Sequence, residues 1–160
     1  MVLLQLMLPC FDNSLVVSNL TCLDIAFVVI QLSQFIHQPS QLHWQALKRL
    51  LRYLKCTFYH GLFLCRSSTL TLQAYSDADW AGNRDDRSST TGYLIYLGSN
   101  LIAWISRKQR FVARSSTEAE YHAIAYTAAE LAWIQSLLRE LGVSLSTSPT
   151  ISYDNVGVTF

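Results

Sequence analysis

No two cysteines of this chain stand at Cys-x-x-Cys spacing. Cys10, Cys22, Cys56 and Cys65 are scattered, and no histidine follows at the interval of a zinc finger. That argues against a zinc site and for reduced, structural thiols in an intracellular protein. An uninterrupted apolar run of membrane-spanning length is also missing. Residues 25–36 are oily, but Gln31, Ser33 and Gln34 interrupt them well short of the ~20 apolar residues that a span requires. Met1 to Pro9 is apolar without a basic stretch ahead of it, which argues against a secretory signal. No histidine is placed to activate Ser88, Ser89 or Thr90, so these read as polar strand-entry residues rather than nucleophiles. Internal repeats and low-complexity tracts are absent. Charge is sparse: 14% of residues are charged against 51% apolar, which excludes a disordered tail.

The 160 residues can hold one domain, or one domain and a fragment. The net charge of +1 hides an asymmetry. Residues 1–66 carry five Lys or Arg against two Asp, and residues 67–160 carry seven against nine Asp or Glu. The first part suits contact with phosphate, and the second concentrates carboxylate as a metal site requires.

Residues 1–20 begin oily, break at Asp12-Asn-Ser14, and read as the edge of something larger. Helical spacing of Ile25, Val28, Val29, Leu32 and Ile36 predicts a helix over 23–36. Pro39 suits the start of a second helix over 39–56, with Leu47, Leu50, Leu51 and Leu54 as its apolar row. Lys48, Arg49, Arg52 and Lys55 lie mostly off that row. They form either a solvated helix face or a strip that touches a nucleic-acid backbone. Gly61 to Leu64 and Leu70 to Asp77 read as strands. In the second, Leu72 and Ala74 share one face and Gln73, Tyr75 and Asp77 the other. Residues 93–97 and 101–105 read as a hairpin around Gly98-Ser-Asn100. Residues 116–141 give the clearest helix, opened by Ser115-x-x-Glu118 or Thr117-x-x-Glu120 and stopped at Gly142. A last strand follows Pro149, over 150–154. Strands on both sides of a long helix predict an α/β or α+β fold.

Three acidic residues occupy unlike settings in this pattern. Asp77 and Asp154 end β-like runs, and Glu120 opens the long helix. Carboxylates gathered from two strands and a helix start suit divalent metal ions and metal-assisted phosphodiester cleavage. Glu118 competes with Glu120. Glu120 heads the row Ile124, Thr127, Leu131, Ile134, Leu138 and Leu141, which should face the core, whereas Glu118 is rotated toward solvent. Read structurally, Glu120 would only satisfy helix-start N–H groups, and Asp154 with Asn155 would only form a turn. Asp79 reads as a loop or turn residue and His122 as a surface residue. Arg107, Lys108 and Gln109 follow a strand, either as a solvated strand end or as a contact to a nucleic-acid backbone.

Four blocks in order resemble the ribonuclease H domain of copia-type LTR-retrotransposon Pol polyproteins. They are Ser76-Asp-Ala-Asp-Trp-Ala-Gly82, Arg87-Ser-Ser-Thr-Thr-Gly-Tyr93, Trp104-Ile-Ser-Arg-Lys-Gln109 and Ser115 to Tyr121. Any one alone is a weak signal. The stretch Ala74 to Asn155 carries the resemblance, roughly half of the chain. Leu32-Ser-Gln-Phe35 and residues 42–55 resemble the segment that connects reverse transcriptase to that domain. The resemblance implies a connection remnant over 1–66 and a ribonuclease H-like domain over 67–160. It implies an α/β mixed sheet with a long central helix, incomplete at the C-terminus.

The implied activity is hydrolysis of the RNA strand of RNA–DNA hybrids during reverse transcription. Asp77, Glu120 and Asp154 would be both the catalytic residues and the ligands of two Mg²⁺ or Mn²⁺ ions. Asp77 matches the catalytic strand-end Asp, Glu120 the Glu of Ala-Glu-Tyr, and Asp154 the third carboxylate. The products would be a 5′-phosphate and a 3′-hydroxyl, with RNA distinguished through its 2′-hydroxyl and minor-groove shape. Implied partners are the hybrid and the rest of a Pol polyprotein, with no membrane and no small-molecule substrate. The implied place is an intracellular particle in the cytoplasm, or the nucleus. The family continues past the third carboxylate to a helix and a fourth, His-containing catalytic position, whereas this sequence ends at Phe160. The expectation is an impaired enzyme, or a non-catalytic remnant that at most binds nucleic acid.

Overall fold

The computed structural model describes residues 23–66, 69–83 and 85–154. The apolar start, Cys10, Cys22, Asn155 and Phe160 lie outside the described residues. The chain divides into two compact units, Met1–Gly61 and Leu62–Phe160.

In the first unit two helices pack on each other. Helix α1 spans Leu23–Ser33 and α2 spans Gln41–Cys56. Both are shorter than their periodicity predicts. Helix α2 opens at Ser40 rather than Pro39: the Ser40 side chain accepts the His43 N–H, and the His43 ring accepts the Ser40 N–H. This reciprocal cap satisfies two orphan donors, which fixes the boundary. Ile25, Val29 and Leu50 are buried against one another, with Leu32 and Leu54 beside them. The expected strand at Gly61 to Leu64 does not form; these residues are exposed and have no partner strand among the described residues. Their apolar character reflects no ladder pairing among the described residues.

The second unit is α/β, a four-stranded mixed sheet in the order β3-β2-β1-β4. Strand β1 spans Leu72–Asp79, β2 Thr90–Leu97, β3 Asn100–Lys108 and β4 Thr150–Ser152. The first three form an antiparallel meander, and β4 lies parallel to β1. The β2–β3 turn is tighter than expected: Leu97 pairs with Asn100, leaving Gly98 and Ser99 as the loop. Gly98 sits at φ 61°, left-handed space that glycine enters without a Cβ clash.

Helix α3, Ser116–Glu140, covers one face of this sheet. Strand alternation decides that face. Leu72, Ala74 and Ser76 are buried, whereas Gln73, Tyr75 and Asp77 are exposed. Leu72, Ala74, Tyr93 and Ile95 pack against Leu131 and Ile134 of α3, with Leu138, Leu145 and Ile151 closing the edge. Full burial of each large aliphatic side chain contributes about 1.5–3 kcal/mol. The helix stripe also includes Ala119 and Ala123, both fully buried, where small side chains let α3 approach closely. Leu141 ends the expected row outside the core, exposed beyond the last helical residue.

Candidate metal centre

The three carboxylates arrive from three elements. Asp77 lies near the carboxyl end of β1, with outward parity. Strand β4 pairs Gln73 with Thr150 and Tyr75 with Ser152. Strand β4 ends at Ser152, short of the expected 150–154, so Asp154 lies two residues past its carboxyl end. Open α/β sheets commonly hold their ligands at the carboxyl ends of their strands. Glu120 reaches them from the start of α3. One oxygen of each of Asp77, Glu120 and Asp154 lies within 4.8 Å of the others.

Glu120 is the buried member, 6% exposed, while Asp77 and Asp154 are exposed. Burial pushes the Glu120 carboxyl above its ordinary value, and the charges of Asp77 and Asp154 push it further. The Ala78 backbone N–H works in the opposite direction. Ala78 also donates to Asp77 Oδ1 at 2.8 Å. Glu120 Oε2 is buried and accepts no hydrogen bond among the described residues. A buried carboxylate oxygen without a partner is costly, and a cation at this point would satisfy it. Three carboxylates without His or Cys form a hard oxygen set, suited to Mg²⁺, Mn²⁺ or Ca²⁺ rather than Zn²⁺. The residues present thus fit a divalent ion.

The neighbouring acids have other duties. Glu118 Oε2 accepts the Arg114 N–H at 2.7 Å, and the Ser115 side chain accepts the Glu118 N–H at 3.1 Å. Glu118 therefore serves the cap, and the Thr117-x-x-Glu120 alternative is not used. Asp79 folds over Gly82 so closely that a Cβ there would stand 1.9 Å from Asp79 Oδ2. Between them Ala81 takes φ 52°, its N–H held by the Ser89 hydroxyl at 3.1 Å. Ser88 and Ser89 are buried loop braces, and His122 is exposed.

The expected nucleic-acid contacts separate into different environments. Lys48, Arg49, Arg52 and Lys55 are all exposed on α2, with Lys48 Nζ 5.1 Å from the Trp44 ring centroid. Arg107 is exposed. Lys108 pairs with Asp86, whose carboxyl is drawn down to about 2 by Lys108 and then by Ser88. Gln109 corrects the sequence reading. It is buried, and its side-chain amide donates to Thr91 Oγ1 and to the Ala119 carbonyl, both at 3.0 Å. A polar residue after a strand reads as a surface group, but here the chain turns inward and the amide ties β2 to the first turn of α3. Trp80 was not singled out in the sequence. Its indole N–H donates to the Ala113 carbonyl at 3.1 Å, joining the turn after β1 to the segment before α3. The only sequence signal for it is its place in the block Ser76 to Gly82.

With this geometry in view, the chain proves similar to proteins of mobile elements. It is 57% identical over 137 residues to the retrovirus-related Pol polyprotein from transposon RE2 of Arabidopsis thaliana, a match covering 86% of this chain. It is 45% identical over 121 residues, 75% of this chain, to the corresponding polyprotein from transposon TNT 1-94 of Nicotiana tabacum. It is also 50% identical over 111 residues to secreted RxLR effector protein 161 of Plasmopara viticola, covering 69% of this chain and 78% of that protein. The chain is homologous to a segment of retrovirus-related Pol polyproteins from plant transposons. It spans about 9% of the length of the two plant polyproteins. No family model and no solved structure matches it.

Proposed function

We propose that the second unit is a ribonuclease H-like domain that hydrolyses the RNA strand of RNA–DNA hybrids, as part of reverse transcription by a retrotransposon. The observation that carries the reading is the gathering of Asp77, Glu120 and Asp154 within 4.8 Å, with one Glu120 oxygen buried and unpartnered among the described residues. The ordered sequence blocks and the kinship with Pol polyproteins support it.

Asp77, Glu120 and Asp154 would hold Mg²⁺ or Mn²⁺. Bound divalent ions at such a site supply an activated water and stabilise the leaving 3′-oxygen. Asp77 and Asp154 present their carboxylates at the exposed strand ends, where a phosphodiester has access. Glu120 supplies charge from behind, fixed by its place on a helix docked into the core. The Ser115–Glu118 cap and the Gln109 amide hold the register of that first turn. Partners on this reading are the hybrid and the remainder of a Pol polyprotein, within an intracellular particle or the nucleus.

The test is cleavage of a hybrid labelled on its RNA strand, with Mg²⁺ or Mn²⁺ and with chelator. Metal-dependent cleavage that is lost in Asp77→Asn supports the reading. A folded protein that binds the hybrid without cutting it under any metal condition would overturn hydrolysis, leaving a non-catalytic nucleic-acid binder.

A further inference from the structure

Four cations lie between the end of β3 and the N-cap of α3: Arg107, Lys108, Arg110 and Arg114. Lys108 is neutralised by Asp86. Arg107, Arg110 and Arg114 are exposed, and among the described residues none of them enters an ion pair. Between the last two, Phe111 and Val112 are 74% and 57% exposed. Neither belongs to the core cluster, so the fold does not explain their apolar character.

The backbone beneath this exposed tip is firmly held. The Gln109 N–H donates to the Ser89 carbonyl at 2.8 Å, and its side chain donates to the Ala119 carbonyl. Ala113 is buried and its carbonyl accepts the Trp80 indole. The Arg114 N–H is bound by Glu118. One set of ties runs to the turn just after Asp77, and the other to the helix turn that carries Glu120. Residues 110–112 are thus displayed from a fixed base tied to the helix turn that carries Glu120 and to the turn that follows β1.

We propose that Arg110, Phe111 and Arg114 form a nucleic-acid contact surface that grips the backbone of an RNA–DNA hybrid next to the metal centre. The choice of hybrid as ligand rests on the function proposed above. A cluster of carboxylates repels a polyanion, and residues 67–160 carry more acidic than basic groups. Local cations must offset that repulsion. Arginine forks match phosphate oxygens in pairs, and an exposed aromatic ring gives a backbone sugar an apolar face to pack against. Val112 extends the apolar contact.

The experiment measures binding of a fluorescent RNA–DNA hybrid to the full chain by anisotropy, in chelator, across a series of KCl concentrations. Each of Arg110→Gln and Arg114→Gln should lower the steepness of log K against log[salt] by about 0.7–0.9, the signature of one lost phosphate contact. The double Lys variant at these positions should keep the wild-type slope. Phe111→Ala should weaken binding with the slope unchanged. Arg139→Gln, in the last turn of α3, should match wild type. Unaltered affinity and slope in a folded Arg110→Gln/Arg114→Gln double variant would overturn the surface. So would equal loss in Arg139→Gln, or no hybrid binding by the wild type. If the arginine variants misfold, a lost slope in the Lys variant overturns it and a retained slope supports it. Arginine-dependent binding without hydrolysis keeps this surface and removes the hydrolytic reading. Hydrolysis with KM unchanged in the arginine variants does the reverse.

Discussion

The hydroxyls of Thr127 and Ser76 meet inside the second unit, 3.0 Å apart between α3 and β1. Thr127 has no exposed surface, and its hydroxyl also engages the Ala123 carbonyl at 2.8 Å. Ser76 immediately precedes Asp77, and Thr127 lies two helical turns from Glu120 on the same face. This polar contact therefore joins the two elements that carry Asp77 and Glu120.

Thr127→Val should destabilise the protein by about 1–3 kcal/mol, because it strands the buried Ser76 hydroxyl. Adding Ser76→Ala should recover part of that loss. Urea unfolding of the two single variants and the double variant checks the coupling. Strictly additive losses would show that the two hydroxyls do not act as a pair.

The raised Glu120 carboxyl fixes the sign of a pH effect. The folded state holds this proton more tightly than the unfolded chain does. Its stabilising contribution is complete below the ordinary Glu value and is lost as pH rises through the folded value. At neutral pH without metal, Glu120→Gln should therefore melt higher than wild type and show a flatter decline of stability over that window. Added Mn²⁺ should raise the wild-type Tm and leave Glu120→Gln nearly unmoved. Thermal scans with and without metal decide it; a lower metal-free Tm for Glu120→Gln would contradict the electrostatic account.

Glu118 and Glu120 should part company in opposite directions. Glu118→Gln weakens the cap that holds the Arg114 N–H and should cost about 0.5–1 kcal/mol, with hybrid cleavage largely retained. Glu120→Gln should stabilise the metal-free fold yet reduce cleavage by well over tenfold, since it removes a ligand. Parallel melting and cleavage measurements on both variants separate the roles. A cleavage loss greater for Glu118→Gln would reverse them.

Much of this was readable from residue order because period and punctuation agree. The row behind Glu120 and the Ser115 cap forecast both the helix and the carboxylate that turns inward. Strand alternation forecast that Leu72 and Ala74 share one face and Asp77 the other, and the structure buries the first. What could not be read was non-local. Nothing near Gln109 reveals that its amide is taken up by Thr91 and Ala119, because that depends on how the chain folds back after β3. Gly61 to Leu64 has strand composition, but composition does not supply a neighbouring ladder. The approach of Asp154 to Asp77 likewise required the parallel register, which no local pattern encodes.

That parallel register also sets the order in which the site can exist. Strands β1, β2 and β3 pair with their sequence neighbours through short connections. Strand β4 reaches β1 only after the whole meander and α3 intervene, and among the described residues three residue pairs hold it there. Such distant closure carries the largest chain-entropy cost in the sheet. A partly folded molecule with its hairpin and helix in place would already have Asp77 and Glu120 together, but not Asp154. The complete set of carboxylates is thus a property of the finished fold alone, and binding of any cation that needs all three would be coupled to the last long-range pairing.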